Sequence, residues 1–252
     1  MKLIKRVFEF FNDDTPYYAA SLSFFTIFAI LPLIALLIVV ISNIPTFSQH
    51  LDEIMLYILD FINPTHSQTF TSHIESFLTN TSKLGYIGLV YLTFVFTMFF
   101  KDYEYIVNKI HEVPSRAFYK SFFLYISFLI IIPLLFFIFI FLSTYKDFSI
   151  YISPFASLFI WLVFIILFMV SANTKISFRA AALSSFLTLI TLSVTKTLFG
   201  YYVSANTTYA TIYGSFSVAL FFFLWIYVSW SIYLYGTKLC SILNKARKSN
   251  ED

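Results

Sequence analysis

The feature that most constrains this chain is an uncharged apolar run from Tyr17 to Ser42. About 20 apolar residues, rising 1.5 Å each in a helix, cross the roughly 30 Å hydrocarbon core of a bilayer. The run therefore predicts a transmembrane helix. Pro32 lies in its middle and has no amide to donate to the carbonyl of Phe28, which predicts a break in the helix there.

Five more apolar segments follow, and the pattern predicts an all-α polytopic membrane protein built as a six-helix transmembrane bundle. Only 12% of the residues are charged, against about a quarter in soluble domains. No polar linker divides the blocks, so residues 1–252 are predicted to form a single integral membrane domain. The predicted spans are about residues 17–42, 84–100, 121–143, 155–172, 180–201 and 214–236.

The distribution of lysine and arginine predicts the orientation of these spans. With six spans, 13 of these residues fall on one side of the membrane and 2 on the other. Because basic residues are retained on the cytoplasmic side, both termini are expected in the cytoplasm. Residues 43–83 then form an extracytoplasmic loop. Apolar residues at helical spacing, such as Leu51, Ile54 and Ile58, predict amphipathic helices at the outer membrane surface there, or a partly re-entrant hairpin.

The fifth predicted span carries hydroxyl side chains at spacings of four, three and four residues, which place them in one stripe along a helix. Such a stripe can line a polar pathway through the bundle. Alternatively, the hydroxyls bond carbonyls of their own helix or of a neighbouring helix. The candidate pathway residues are Ser184, Thr188, Thr191 and Thr195, with Lys196 beside them.

Lys196 is the one ionisable residue well inside a predicted span, which makes it a functional candidate. The alternative is that it lies near the outer boundary and extends its amine to the headgroups. Pro32 and Pro133 are candidate helix breaks, since transporters often place broken helices around a central site. Proline is also common in membrane helices that have no such site.

The sequence carries no recognisable enzymatic constellation. It has no GxSxG, HExxH or CxxC motif, and no aspartate or glutamate inside a predicted span. His66 and His73 are seven residues apart but lack further ligands at metal-binding spacing. We therefore expect no enzyme activity, no cofactor, no metal site and no nucleic-acid partner.

Three motifs resemble those of the YihY/virulence factor BrkB family, whose members were formerly labelled ribonuclease BN. The motifs are DDTPYYAASLSFFTIFAILPL at 13–33, the segment from Leu84 through NKIHEVP at 108–114, and IYGSFSVALFFFLWIYVSWSIYLYGTKL at 212–239. The family pattern commonly ends the last helix with Gly-Ala-Glu. Here Thr237 and Lys238 follow Gly236, so no role of that glutamate transfers.

The resemblance implies a six-helix protein of the bacterial inner membrane with no settled activity. Family members have carried a nuclease label, which this chain does not support because it lacks a cluster of acids or histidines. They have also been linked to envelope lipid transport. The leading hypothesis is therefore a transporter or translocator of a lipid or other amphiphile, with membrane lipids as partners. The alternative is a non-transporting scaffold that binds an envelope protein through residues 43–83.

Overall fold

The computed structural model describes residues 10, 13–42, 72, 76, 85–127, 131, 152–206, 213 and 216–251. Within those residues the regular structure is entirely α-helical. The helices are α1 (Thr15–Ser42), α2 (Gly85–Ile110), α3 (118–127), α4 (Ile152–Ser171), α5 (Phe178–Ala205) and α6 (Phe216–Glu251). Pro133, His66 and His73 lie outside the described residues. So does the predicted surface loop 43–83 apart from residues 72 and 76.

Two of these helices are long and apolar enough to cross a membrane. They are α5 over its full length, Phe178–Ala205, and the part of α6 from Ala219 to Arg247. A shorter apolar stretch, Ser157–Ser171, lies in α4. Both long helices coincide with spans predicted from the sequence.

The chain divides into two compact units. Unit 1 comprises Met1–Phe99 and Leu192–Ser231, and unit 2 comprises Phe100–Thr191 and Ile232–Asp252. In unit 1, α1 begins after Asp13, whose carboxylate accepts hydrogen bonds from the backbone amide and the hydroxyl of Thr15 at 3.1 and 2.9 Å. This cap satisfies one of the amides that every helix start leaves unpaired. From there α1 continues as a helix through Pro32.

Aromatic packing holds the later part of unit 1 together. Phe199 of α5 packs on Phe221 and Trp225 of α6, with Val203 against them. Trp225 is buried, as its depth within the last predicted span indicates. Trp230 is partly exposed and donates its indole N–H to the hydroxyl of Thr26 in α1 at 2.9 Å.

Two helices extend beyond the spans predicted for them. The span predicted to end at Phe100 belongs to a helix that continues to Ile110, because Tyr103, Ile106 and Val107 prolong its buried face. The last helix likewise passes Gly236 and ends at Glu251. Both segments that follow the predicted spans 84–100 and 214–236 therefore begin as helix.

The end of α2 is closed by a Schellman motif. The amide of Val113 donates to the carbonyl of Asn108 at 3.0 Å, and the amide of Glu112 donates to that of Lys109 at 3.1 Å. Glu112 has φ of 58°, the left-handed conformation that this motif requires and that glycine adopts most readily. Lys245 of α6 contacts Glu112 at 2.8 Å, and this hydrogen bond and positive charge lower the pKa of the Glu112 carboxyl.

Replacing Glu112 by glycine and by alanine separates the backbone strain from the ion pair. Both substitutions remove the contact with Lys245, but only glycine relieves the left-handed strain. We expect Glu112→Gly to be more stable than Glu112→Ala by about 1 kcal/mol. The measurement is unfolding of the purified protein by sodium dodecyl sulphate in mixed micelles. Equal stability of the two variants would contradict the strain.

Candidate functional site

A buried carboxylate organises the polar interior of unit 2. Glu104 of α2 is only 4% exposed. Its Oε1 accepts from Nδ2 of Asn108 at 2.8 Å and from the backbone amide of Arg116 at 2.9 Å. Its Oε2 accepts from the guanidinium of Arg116 at 3.3 Å and from the hydroxyl of Tyr125 in α3. All four lone-pair positions of the carboxylate are thus occupied by donors.

The guanidinium of Arg116 also caps the end of α4. It donates to the carbonyl of Ser171 at 2.8 Å, to that of Val170 at 2.7 Å, and to that of Ala172. These are carbonyls that the last turn of a helix leaves without an intrahelical partner. A cation at this end also interacts favourably with the helix dipole. One side chain therefore joins the Glu104 carboxylate to the end of α4.

Two asparagines extend this network to the connection between α4 and α5. Asn108 accepts the amide of Asn173 at 2.6 Å through its side-chain oxygen. Asn173 in turn donates its side-chain N–H to the carbonyl of Pro114 at 3.0 Å. We call Glu104, Asn108, Arg116, Tyr125 and Asn173 the Glu104 cluster. It ties the 111–117 connection to the 172–177 connection.

The C-terminal part of α6 also bonds the connection between α4 and α5. Asn244 accepts from the amide of Ser177 at 2.9 Å and donates to the carbonyl of Lys175 at 3.1 Å. Ser177 is the N-cap of α5, since its hydroxyl accepts from the amide of Ala180 at 3.3 Å. Both connections and α6 are thereby joined at one end of unit 2.

A chain of hydroxyl groups lies beside the cluster. The phenol of Tyr103 bonds the hydroxyl of Ser171 at 2.9 Å and the phenol of Tyr233. The ring of Tyr233 packs edge-on against Phe168. Tyr233 is 8% exposed and therefore lies inside the protein. The Tyr233 hydroxyl bonds the Tyr103 hydroxyl inside the protein, so it does not require a hydrogen-bond partner among the lipid headgroups.

The arrangement is suited to holding helices in place. Every polar group of the Glu104 carboxylate is satisfied, and low dielectric strengthens each bond of such a network. The sequence interpretation missed this cluster because residues 101–120 were taken as a connection outside the predicted spans, with an apolar face on a charged helix but no buried carboxylate. One signal was available: Glu104 and Asn108 are four residues apart, on the same side of the helix as apolar Tyr103 and Val107.

Breaking the buried ion pair should cost far more than breaking the exposed one. Glu104→Gln leaves the Arg116 guanidinium without its carboxylate, at an expected cost of about 3–5 kcal/mol in unfolding free energy. Glu112→Gln, the matched control at the exposed pair with Lys245, should cost less than about 1 kcal/mol. The measurement is unfolding in mixed micelles. Equal losses at the two sites would show that the buried pair does not stabilise the fold.

A buried histidine lies next to this region. His111, directly after α2, is 5% exposed. Burial, assisted by the positive charge of Lys245, lowers the pKa of His111 from 6.5 to about 4. The imidazole is therefore neutral in the folded protein at neutral pH. Unfolding exposes it, and its pKa then returns to its ordinary value.

This histidine predicts a loss of stability in mild acid. Between pH 6.5 and about 4 the unfolded state binds more protons than the folded state, so stability falls as the pH falls. From pH 7.5 to pH 5 we expect a loss of about 2 kcal/mol that is specific to His111. Unfolding of the wild type is compared with that of His111→Gln at both pH values. A difference between the two proteins that stays constant with pH would overturn the prediction.

The predicted hydroxyl stripe of α5 begins in a tight helix contact. Ser184 and Thr188 are buried, and their hydroxyls donate to the carbonyls of Ala180 and Ser184 at 2.6 and 2.7 Å. A Cβ added to Gly236 of α6 would lie 1.9 Å from Oγ1 of Thr188. Cys240 is fully buried, and the Ser184 hydroxyl lies within hydrogen-bonding range of its sulfur.

The remaining stripe residues lie further along the same helix and are more open. Thr191 is exposed, and its hydroxyl donates to the carbonyl of Leu187 at 2.8 Å. Thr195 is half-buried and Lys196 is exposed. Most of the exposed face of α5 is apolar, with Leu183, Phe186, Ile190, Val194 and Leu198, as a lipid-facing surface requires.

Gly236→Ala tests the contact between α5 and α6. The new methyl group would overlap Thr188, so we expect a loss of about 1–3 kcal/mol in stability. Thr188→Ala removes the overlapping hydroxyl and methyl, so the double variant should regain most of that loss. The control is Gly200→Ala, since a Cβ at Gly200 meets no atom within 4 Å. If Thr188→Ala fails to rescue Gly236→Ala, the contact is not as close as described.

The described residues contain no group of side chains suited to holding a metal ion. No group of three or more His, Cys, Asp and Glu residues lies together there.

Comparison with known proteins relates the chain to one family of bacterial membrane proteins. A sequence model of the family described as Virulence factor BrkB matches residues 7–252, which confirms the resemblance seen in the motifs. A UPF0761 membrane protein of Legionella pneumophila is 29% identical over 92% of this chain and 59% of its own length. One from Mannheimia succiniciproducens is 26% identical over 98% of this chain and 91% of its own length.

A third relative, a UPF0761 membrane protein of Pseudomonas paraeruginosa, is 30% identical over 95% of this chain. The chain spans 62% of the length of that relative. No solved structure matches the chain.

Proposed function

The chain belongs to the virulence factor BrkB family of bacterial membrane proteins, and on that premise we propose that it moves a lipid or another amphiphile across the inner membrane. In this proposal the protein crosses the membrane six times, with both termini in the cytoplasm. It is not an enzyme and uses no cofactor. Pro32 and Pro133 kink their helices near the pathway, since a proline has no amide to donate to the preceding turn.

The observation that carries the proposal is the change in exposure along the hydroxyl stripe of α5. Ser184 and Thr188 are buried, and Thr188 packs so closely on Gly236 that no side chain fits at that position. From Thr191 to Lys196 the same helix presents polar groups at its surface. A threonine hydroxyl that donates to its own helix can still accept a hydrogen bond, and a lysine has three donors, so exposed polar side chains in a spanning helix suit contact with a lipid headgroup. The exposed part of the stripe is then the polar surface along which a headgroup moves, and the packing of Thr188 on Gly236 blocks it at one end.

The test is lipid translocation by the purified protein in liposomes. A fluorescent phospholipid is scored for the access of a membrane-impermeant quencher to lipid that starts in the inner leaflet. We expect faster access than in empty liposomes. Replacing Thr191, Thr195 and Lys196 by Val, Val and Leu should slow it at least about tenfold, because each lost headgroup hydrogen bond is worth about 1 kcal/mol.

A matched control lies on the same helix. Thr197 is exposed like Thr191, and its hydroxyl bonds a carbonyl of its own helix in the same way, that of Ser193 at 3.2 Å. It lies outside the stripe, so Thr197→Val should leave translocation unchanged. Equal slowing of translocation by the single substitutions Thr191→Val and Thr197→Val would show that the stripe is not the pathway. No acceleration by folded wild-type protein would count against translocation itself.

The second candidate function is a membrane scaffold. The amphipathic spacing of Leu51, Ile54, Met55, Ile58 and Ile62 favours a binding surface for an envelope protein. Replacing residues 43–83 by a neutral linker should then abolish co-purification of that protein while translocation is unaffected. Unchanged co-purification would dismiss the scaffold.

A further inference from the structure

The described part of unit 2 carries an excess of positive charge. Residues 100–127, 152–191 and 232–247 contain nine lysines and arginines against three acids. Two of those acids form ion pairs inside the unit, Glu104 with Arg116 and Glu112 with Lys245. Basic residues therefore exceed acids by six in these ranges.

Exposed aromatic rings accompany three of these basic residues. Tyr105 is 51% exposed, and Nζ of Lys109 lies 5.5 Å from the centre of its ring. Tyr119 is 60% exposed, and Nζ of Lys120 lies 6.0 Å from its ring centre. At the start of α5, exposed Phe178 precedes exposed Arg179.

The hydrogen bonds of the Glu104 cluster bring these three pairs to the same end of the unit. Asn108, next to Lys109, holds Asn173 of the 172–177 connection at 2.6 Å. Arg116, shortly before Tyr119, holds the carbonyls at the end of α4. Phe178 and Arg179 follow that connection directly. The three pairs therefore flank connections that one buried network joins.

We propose that Tyr105–Lys109, Tyr119–Lys120 and Phe178–Arg179 form a binding surface for the headgroups of anionic phospholipids. Aromatic rings favour the level of the headgroups, where one side meets hydrocarbon and the other meets water. A lysine or arginine beside such a ring is then at the height of the lipid phosphate and can donate to its oxygens. The basic excess matches the negative charge of phosphatidylglycerol, whereas zwitterionic phosphatidylcholine offers no net charge.

This surface is independent of the proposed translocation, since none of its six residues belongs to the hydroxyl stripe. Binding is measured by titrating phosphatidylglycerol into the full-length protein in phosphatidylcholine-containing micelles and following its melting temperature. We expect saturable stabilisation of the wild type by phosphatidylglycerol. Each charge removed should weaken the apparent affinity about fivefold. Lys109→Gln, Lys120→Gln and Arg179→Gln together should thus weaken it by about two orders of magnitude.

The charge-preserving variant Lys109→Arg with Lys120→Arg is the matched control and should bind as the wild type does. Because all three basic residues are exposed, the triple glutamine variant should melt like the wild type in phosphatidylcholine alone. If it does not fold, Tyr105→Leu with Tyr119→Leu replaces it, with an expected loss of about two- to fivefold in affinity.

The proposal is overturned if phosphatidylglycerol and phosphatidylcholine stabilise the wild type equally, or if the glutamine variant retains wild-type affinity. Inorganic phosphate at the same concentration distinguishes a lipid from a free anion. Stabilisation by phosphate alone would show an anion site without lipid recognition and would also overturn the proposal.

Discussion

The polar interior of unit 2 depends on the full satisfaction of one buried carboxylate. A glutamate with so little exposure would be strongly destabilising if its oxygens lacked donors. Glu104 receives donors from its own helix, from the connection after it and from α3. Its principal partner Arg116 in turn occupies the carbonyls at the end of α4. Charge compensation, helix capping and the placement of a connection are thus one set of bonds.

The two faces of α5 show how a spanning helix can serve two environments. One face is apolar and exposed, which suits lipid, while Ser184 and Thr188 on the other are buried with their hydroxyls bonded to carbonyls of α5 itself. At Gly236 the absence of a side chain lets α6 approach Thr188 closely. Small residues permit such approaches in membranes, where association depends on close packing. The contact needs glycine on only one of the two helices.

Sequence reasoning identified what depends on local composition and missed what depends on distant partners. Uncharged apolar runs located α1, α5 and α6 to within a few residues at their starts, and burial of Trp225 followed from its depth in a span. The role of Glu104 could not be read in the same way. Its partners Arg116 and Tyr125 are 12 and 21 residues away, and the carbonyls bound by Arg116 are 54 to 56 residues away. Periodicity within one helix does not encode such pairs.

The capping of α4 by Arg116 also depends on the order in which the chain is synthesised. Because a ribosome synthesises the chain from its N-terminus, Arg116 and Glu104 are made well before the carbonyls of Val170 and Ser171 emerge. The side chain of Arg116 is therefore already present when the carbonyls that it caps at the end of α4 are made. The 172–177 connection is in the opposite position, because Asn244, which bonds Lys175 and Ser177, is made 69 and 67 residues after them. This end of unit 2 is thus complete only after α6 has been made.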